Sequence, residues 1–572
     1  MNDLFLHWAF KYATMNFDVN HKGLFCMKSS DLLLKCLEAQ DVKQIYGVPG
    51  EENADIMISL LDSPIEFIIC RHEQEAAFMA DMHGRLTGKP GVCLATLGPG
   101  ATNLVTGLVT SNLDKVPSIG IIGQAATTRL HKESHQNMHA IPMFQPVTKW
   151  ASSISVNSII PEVVAKAFKL AQGAKPGAVV IELPEDVAKE DSEATPILKQ
   201  FHENLGGAEK GALQEAVALI KASKKPLLLA GSGATFYECD SELKTFVEKT
   251  GLFVTTTFMG KGVLSDDHPN SLFTVGLGMK DIALEAFEEA DLVITLGYDM
   301  IEWHPDRWNQ GEKKTIIHID TLATEVDQAY LPELELIGDL NVILEQLNAN
   351  LGDTQPKEES FADLRNRIAQ DLARLTTDDA FPMKPQRIIA DLRAELDEHD
   401  ILVSDVGAHK MWIARQYHTY HSRTCFIHNG FASMGGAMPG ATMAKMLKPG
   451  KHVVALCGDG GFVMSIQALP TAVRYKVPIT IVVVEDGHYG LIKWKQEAAF
   501  NRSSHVELHN HDLVMVAEAF GAHAIRVNET DSFALALKEA RGITDKPTVI
   551  VVPIDYSENM KLTAHLGELV SR

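Results

Sequence analysis

The 572-residue chain is too long for a single hydrophobic core, so two to four domains are expected. Its net charge of −22, with no Lys/Arg block, excludes a nucleic-acid surface but not an anionic substrate, because a bound metal can reverse the sign locally. An apolar share of 45% without an uninterrupted apolar run of about 18 residues describes a globular protein with no membrane span. The seven cysteines show no C-x-x-C spacing and mostly sit in apolar runs, which suits buried free thiols in a reducing cytoplasm.

Residues 1–26 lack the charged-then-apolar plan of a signal peptide and read as a loose extension. Met27 is a natural start, with Ser29, Ser30 or Asp31 expected to cap a helix over 32–38. Strands buried on both faces are predicted at 67–70, 92–97, 118–123 and 178–183. A second unit opens with a helix near 212–222, followed by strands at 226–230, 253–256, 292–296 and 315–319. Residues 352–359 and the charged helix after them read as a linker. The third unit begins near Pro382, with strands at 401–404, 453–457, 479–484 and 548–552. Three α/β domains with doubly wound parallel sheets result, over 27–190, 205–350 and 380–560.

The strongest chemical signal lies in the third unit. One strand ends in Gly458-Asp459-Gly460-Gly461, and the next ends in Glu485-Asp486-Gly487-His488-Tyr489-Gly490. Carboxyl ends of parallel strands gather at one edge of a sheet, where ligands bind. Two carboxylates there, one crossover apart, can meet at a hard cation such as magnesium. The glycines let main-chain amides approach phosphate oxygens that share the ion. A lone GDGG is more often only a turn; the partner Asp486 makes that reading improbable.

This arrangement resembles the thiamine-diphosphate motif, GDG followed after 25–30 residues by Asn-Asp or Asn-Asn. The resemblance implies Asp459, Asp486 and the His488 carbonyl as ligands of Mg2+. It also places Gly458, Gly460, Gly461, Tyr489 and Gly490 around the diphosphate, with Gly407, Ala408 and His409 joining from the end of the 401–404 strand. Glu485 stands where the family commonly has Asn.

In the first unit, Arg71-His72-Glu73-Gln74-Glu75-Ala76-Ala77 starts a helix after a strand, and Ala76, Ala77 and Ala80 allow close packing. By itself this is as readily a charged first turn facing the helix dipole. With Gly84-Arg85-x-Thr87-Gly88 it is similar to the pyrimidine-binding segment of the same family, which implies that Glu73 activates the cofactor. A carboxylic acid hydrogen-bonded to the pyrimidine nitrogen favours the imino tautomer that removes the thiazolium C2 proton. Asn429 to Gly440 is similar to the segment whose large apolar residue bends the cofactor, implying that role for Met434.

The likeness covers nearly all of 27–556 and is closest to the acetolactate synthase family. His135-Gln136 with Phe144-Gln145-Pro146-Val147-Thr148-Lys149, and Leu296-Gly297-Tyr298-Asp299 with Glu302 and Pro305, resemble its catabolic, pyruvate-condensing members. The implied activity joins two pyruvates to 2-acetolactate with loss of CO2, with His135 and Gln136 near the substrate and FAD absent. A homodimer or homotetramer with active sites shared between subunits is implied as well. Another thiamine-diphosphate carboligase, decarboxylase or oxidase remains an alternative. A nucleotide-dependent dehydrogenase built on Gly231-Ser232-Gly233-Ala234 is a weaker one, because Phe236 replaces the third glycine. Trp494 reads most simply as a helix core position.

Overall fold

A computed structural model describes residues 26–559 apart from 202, 277–281, 311–313 and 353–360. Three six-stranded sheets account for the three units, and every strand pair within them is parallel. Residues alternate between two cores along the central strands. Val92 and Leu94 enter one cluster while Cys93 and Ala95 enter another, as expected where helices cover both faces.

The first sheet runs Glu66–Ile69, Gln44–Gly47, Gly91–Ala95, Ser118–Gln124, Ala178–Pro184, Trp150–Ser153. The third runs Cys425–Ile427, Ile401–Ser404, Val453–Gly458, Thr480–Glu485, Thr548–Pro553, His523–Arg526. Numbered within each unit, both have the order 2-1-3-4-6-5. The middle sheet runs Ser271–Thr274, Phe253–Thr256, Pro226–Ala230, Leu292–Leu296, Thr315–Asp320, Leu334–Ile337, which is the order 3-2-1-4-5-6. Each order switches direction beside its first strand, while 2-1-3-4-6-5 turns back once more at its far edge, and the crevice at the first switch is where such sheets bind ligands.

The first and third units share one core. Helix Glu73–Thr87 and helix Ala437–Leu447 lie between the two sheets, contributing Ala76, Ala77, Met79 and Ala80 from one and Met438, Ala441 and Ala444 from the other. Small residues also let helix Glu73–Thr87 pack closely within its own unit. A Cβ on Gly107 would stand 2.4 Å from the Ala77 methyl, and one on Gly91 would stand 2.2 Å from the Ala80 carbonyl. A buried charge network crosses the same seam. Arg85 Nε donates to Asp81 at 2.6 Å and Nη2 to Asp114 at 2.5 Å, while Gly430 N donates to Asp114 at 2.6 Å. Removing one member would leave an uncompensated buried charge, at a cost of about 3–5 kcal/mol.

Several sequence expectations need correction. The first helix is Ser29–Ala39 with Lys28 at its N-cap and no side-chain cap. Ser29 and Ser30 sit buried inside its first turn, where the Ser29 amide and hydroxyl donate to the Glu190 carbonyl and Ser59 donates to Ser30. Those contacts brace the short pairing of Met27–Lys28 with Asp191–Ser192 and leave no side chain for capping. The expected linker at 352–359 falls almost wholly outside the described residues. Helix Ala362–Leu372 after it is no free connector, because Leu364, Ile368 and Leu372 pack into the middle core. Trp494, by contrast, is the buried helix core position expected of it.

Candidate active site

In the third unit the reversal falls between strands Ile401–Ser404 and Val453–Gly458. Helix Ala408–Gln416 starts after the first and helix Asp459–Met464 after the second, so amides and carboxylates converge at this edge. Asp459 is 1% exposed and organises it. Its Oδ2 accepts the Gly487 amide and the Asn510 side-chain amide, both at 2.8 Å. Gly487 has φ +69, a conformation in which glycine alone is unstrained, and this turns the chain back past Asp459.

Asp486 lies in the same turn. Burial, and then the nearby Asp459 charge, push its carboxyl up to about 6. A carboxyl raised by burial and by a neighbouring carboxylate suits the donor set of a hard divalent cation, which would reverse the effect. His488 folds back, its Nδ1 2.6 Å from the Asp486 carbonyl oxygen. Among the described residues, no main-chain amide donates to the His488 carbonyl itself. A Cβ on Gly490 would come within 2.8 Å of Asp486 Oδ2, and one on Gly460 within 3.1 Å of the Tyr489 ring. A side chain at either position would have to displace one of these groups. A cleft of about 430 Å³ opens beside Asp486, His488, Gly490 and Lys493.

The opposite wall comes from Asp405 to His409. Gly458 lies under the His409 ring, where a Cβ would stand 3.5 Å from Nδ1. The ring is 5% exposed, burial lowers its pKa to about 4, and its Nε2 has no hydrogen-bond partner. An orphaned ring nitrogen at this edge fits a phosphate-bearing ligand that supplies the missing partner. Gly461 is fitted against Asp405, whose Oδ1 accepts the Gly435 amide at 2.8 Å and thereby sets the half-buried Met434 beside it. Glu485 has its own partner, Arg526 Nη1 at 2.8 Å, reaching from strand His523–Arg526 two places along the sheet, which explains how Glu stands where the family commonly has Asn.

The second group stands at the strand ends of the first unit. His72 caps the Glu73 helix, accepting the Gln74 amide at 3.1 Å. Glu73 is 8% exposed, and its Oε2 accepts from Asn103 Nδ2 at 2.9 Å. Gly98 precedes the short helix bearing Asn103 and touches the main chain of Gln136, itself at φ +56. The Gln136 main chain therefore comes close to the Glu73 pocket, and both Gln136 and its neighbour His135 are exposed.

One chain does not bring these two groups together. Tyr475 OH accepts the Ile69 amide at 2.8 Å, just before Glu73, and Tyr475 leads into the amino end of strand Thr480–Glu485. Asp459 and Asp486 stand at the carboxyl ends, a strand length or roughly 20 Å away.

Asn103, Asp405 and Asn510 belong to these sites and were not singled out as site residues from sequence. Asp405 carries a signal, an acid at the end of an apolar strand. The two asparagines lie in segments without periodicity and carry none.

Sequence comparisons agree with this geometry. Three family profiles of the thiamine pyrophosphate enzymes match: the N-terminal TPP binding domain at 27–143, the central domain at 213–347 and the C-terminal TPP binding domain at 405–552. The chain is 35% identical to the acetolactate synthase of Bacillus subtilis (strain 168), covering 96% of this chain and 98% of that protein. It is 33% identical to the catabolic acetolactate synthase of Raoultella terrigena, over 95% and 98% of the two chains. A probable acetolactate synthase large subunit of Methanocaldococcus jannaschii matches at 33% over 95% of each. The chain belongs to the thiamine pyrophosphate enzymes, within the acetolactate synthase family.

Proposed function

We propose that this protein is an acetolactate synthase that condenses two pyruvate molecules into 2-acetolactate and CO2, using thiamine diphosphate held through Mg2+. The observation carrying the reading is the convergence of Asp459 and Asp486 around the Gly487 turn, in a chain aligned end to end with proteins of that name. Asp459, Asp486 and the His488 carbonyl would hold the ion. Gly407, Ala408, His409, Gly458, Gly460, Gly461, Tyr489 and Gly490 would line the diphosphate, and Met434 would support the bent cofactor.

When bound, thiamine diphosphate supplies the nucleophilic carbon and the electron sink for decarboxylating a 2-oxo acid. Glu73, its Oε2 steadied by Asn103, would use Oε1 to share a proton with a ring nitrogen of the bound cofactor. Gln136 and His135, on the loop over Gly98, would orient the substrate carboxylate. The separation of Glu73 from Asp459 within one chain supports a site completed by a second copy, hence a homodimer or homotetramer.

FAD is absent in this reading. In the middle unit the reversal lies between strands Pro226–Ala230 and Leu292–Leu296, where a dinucleotide's phosphates would meet the Gly231–Gly233 turn. There Glu302 Oε1 accepts the Ser232 amide at 2.9 Å, and Gly233 packs on Gly297. The protein's own carboxylate occupies that turn, which counts against the dehydrogenase reading too. All seven cysteines are free and six are buried, which suits a reducing cytoplasm. Among the described residues no helix is long and apolar enough to cross a membrane.

The test is turnover of pyruvate by purified protein with thiamine diphosphate and Mg2+, reading CO2 and 2-acetolactate together. Equal molar release of both is expected. CO2 without 2-acetolactate would replace the proposal with a simple decarboxylase.

A further inference from the structure

Away from the thiamine pyrophosphate machinery, Glu398, His399 and His421 form a cluster whose ligand atoms all lie within 4.8 Å of one another. Glu398 and His399 sit between helix Pro385–Glu395 and strand Ile401–Ser404, and His421 precedes strand Cys425–Ile427. Those strands are parallel neighbours, with Leu402 opposite Cys425, so both segments lie at the amino edge of the third sheet. Asp459 and Asp486 stand at its other edge.

The internal geometry suits a metal better than it suits hydrogen bonds. Glu398 faces both imidazoles, with Oε1 3.6 Å from His399 Nε2 and Oε2 3.5 Å from His421 Nε2. Both separations exceed the range of about 2.7–3.2 Å for an N–H···O bond. Each, taken to its own oxygen of Glu398, lies near the ligand-to-ligand spacing on a zinc-type ion, about 3.4 Å for bonds of about 2.0–2.1 Å. An octahedral ion at similar bond lengths would want edges of about 3.0 Å. The two rings stack with centroids 4.1 Å apart and planes 18° apart, and the Nε2 atoms of both face oxygens of Glu398. His421 Nε2 is shut off from solvent and has no hydrogen-bond partner, a state that a bound cation would relieve.

The site is also partly preset. Thr424 Oγ1 donates to the His421 carbonyl at 2.8 Å, and the following Ser422 amide donates to Asp240 at 3.0 Å. His421 is thus held against the middle unit before any ion arrives. Glu398 and His399 are half exposed, leaving a path from solution and room for a water as fourth ligand.

We propose that Glu398, His399 and His421 bind one zinc-type divalent cation, at a site separate from the Mg2+ site and independent of it. The ion would tie the segment before strand Ile401–Ser404 to the 417–424 segment. The latter carries contacts to the middle unit, among them the Thr419 amide on Asp266 at 2.8 Å. Binding there should stiffen the junction of the two units.

The experiment uses full-length protein stripped with a chelator, then saturated with thiamine diphosphate and Mg2+ and titrated with Zn2+ alone. It compares the parent with His399→Ala/His421→Ala and with the single, milder His399→Asn. The parent should take up one more equivalent of Zn2+ than either variant, and Zn2+ should raise its Tm more than theirs. Co2+ in place of Zn2+ should give the parent a strong tetrahedral visible spectrum that both variants lack. Equal stoichiometry in parent and His399→Asn, or an octahedral Co2+ spectrum in the parent, would overturn the proposal. The single substitution is at an exposed ring, so it serves even if the double variant folds poorly.

Discussion

Asp459 and Gly487 are joined by a 2.8 Å hydrogen bond from the Gly487 amide to Asp459 Oδ2. This bond locks the end of one strand to the turn after its neighbour, so Asp486 and the His488 carbonyl keep their positions relative to Asp459. The same oxygen takes a second donor, Asn510, from 51 residues further along the chain. In the proposed metal site, the geometry at this edge is therefore set before a cation would bind.

Asp459→Ala should remove both a proposed metal ligand and this lock. Retention of thiamine diphosphate and Mg2+ through gel filtration should be lost. Asn510→Ala should keep the ligand and weaken retention only partly, since one neutral-donor bond to a carboxylate is worth about 1.5–3 kcal/mol. Normal retention in Asp459→Ala would remove the metal assignment.

Glu73→Gln preserves size and the contact with Asn103 but cannot share a proton. Cofactor binding should persist while exchange of the thiazolium C2 proton slows by a factor on the order of 10² or more. Proton exchange followed by NMR checks this. An unchanged rate would leave Glu73 as a charge at a helix start.

Glu73→Gln and Asp459→Ala chains, each inactive alone, should partly restore activity when mixed under conditions of subunit exchange. A mixed dimer with shared sites has one site carrying both lesions and one carrying neither. If exchange is shown by mass and activity stays absent, the site is built within one chain.

Glu302→Gln should change how stability depends on pH. Burial raises the Glu302 carboxyl from the ordinary 4.5 to about 7, against the opposing effect of bonds from Ser232 and Thr257. The folded state then binds a proton that the unfolded state has released, so this stabilising contribution is full below about 4.5 and lost as pH rises through 7. The amide has no such dependence. Relative to the parent, the variant's Tm should rise between pH 4.5 and pH 8, reflecting up to about 3 kcal/mol. Parallel Tm curves would show Glu302 to be ionised in the folded protein.

The visible absorption spectrum of freshly purified protein should show no flavin band, given the Glu302 carboxylate on the Ser232 amide. A flavin spectrum that survives denaturation and release would reverse that reading.

Local pattern was enough to place the chemistry on the chain. Apolar runs bounded by glycines marked the central strands, and the acids at their ends, Asp459 and Asp486, were legible because a parallel sheet delivers successive strand ends to one edge. Glu73 was legible for the same reason, as the first residue of a helix after a strand. Edge strands such as Cys425–Ile427 and Leu334–Ile337 were not, being too short or too exposed to leave an apolar signature. Tertiary structure alone decided the partners: Asn510 on Asp459, Asn103 on Glu73, Glu302 on Ser232, and Glu398 between two stacked histidines. These contacts join segments far apart in sequence, through loops whose conformation is set by the packing around them. The same packing decided that one chain keeps Glu73 at one end of the third sheet and Asp459 at the other. A shared core between the first and third units fixes that separation, and no local pattern encodes it.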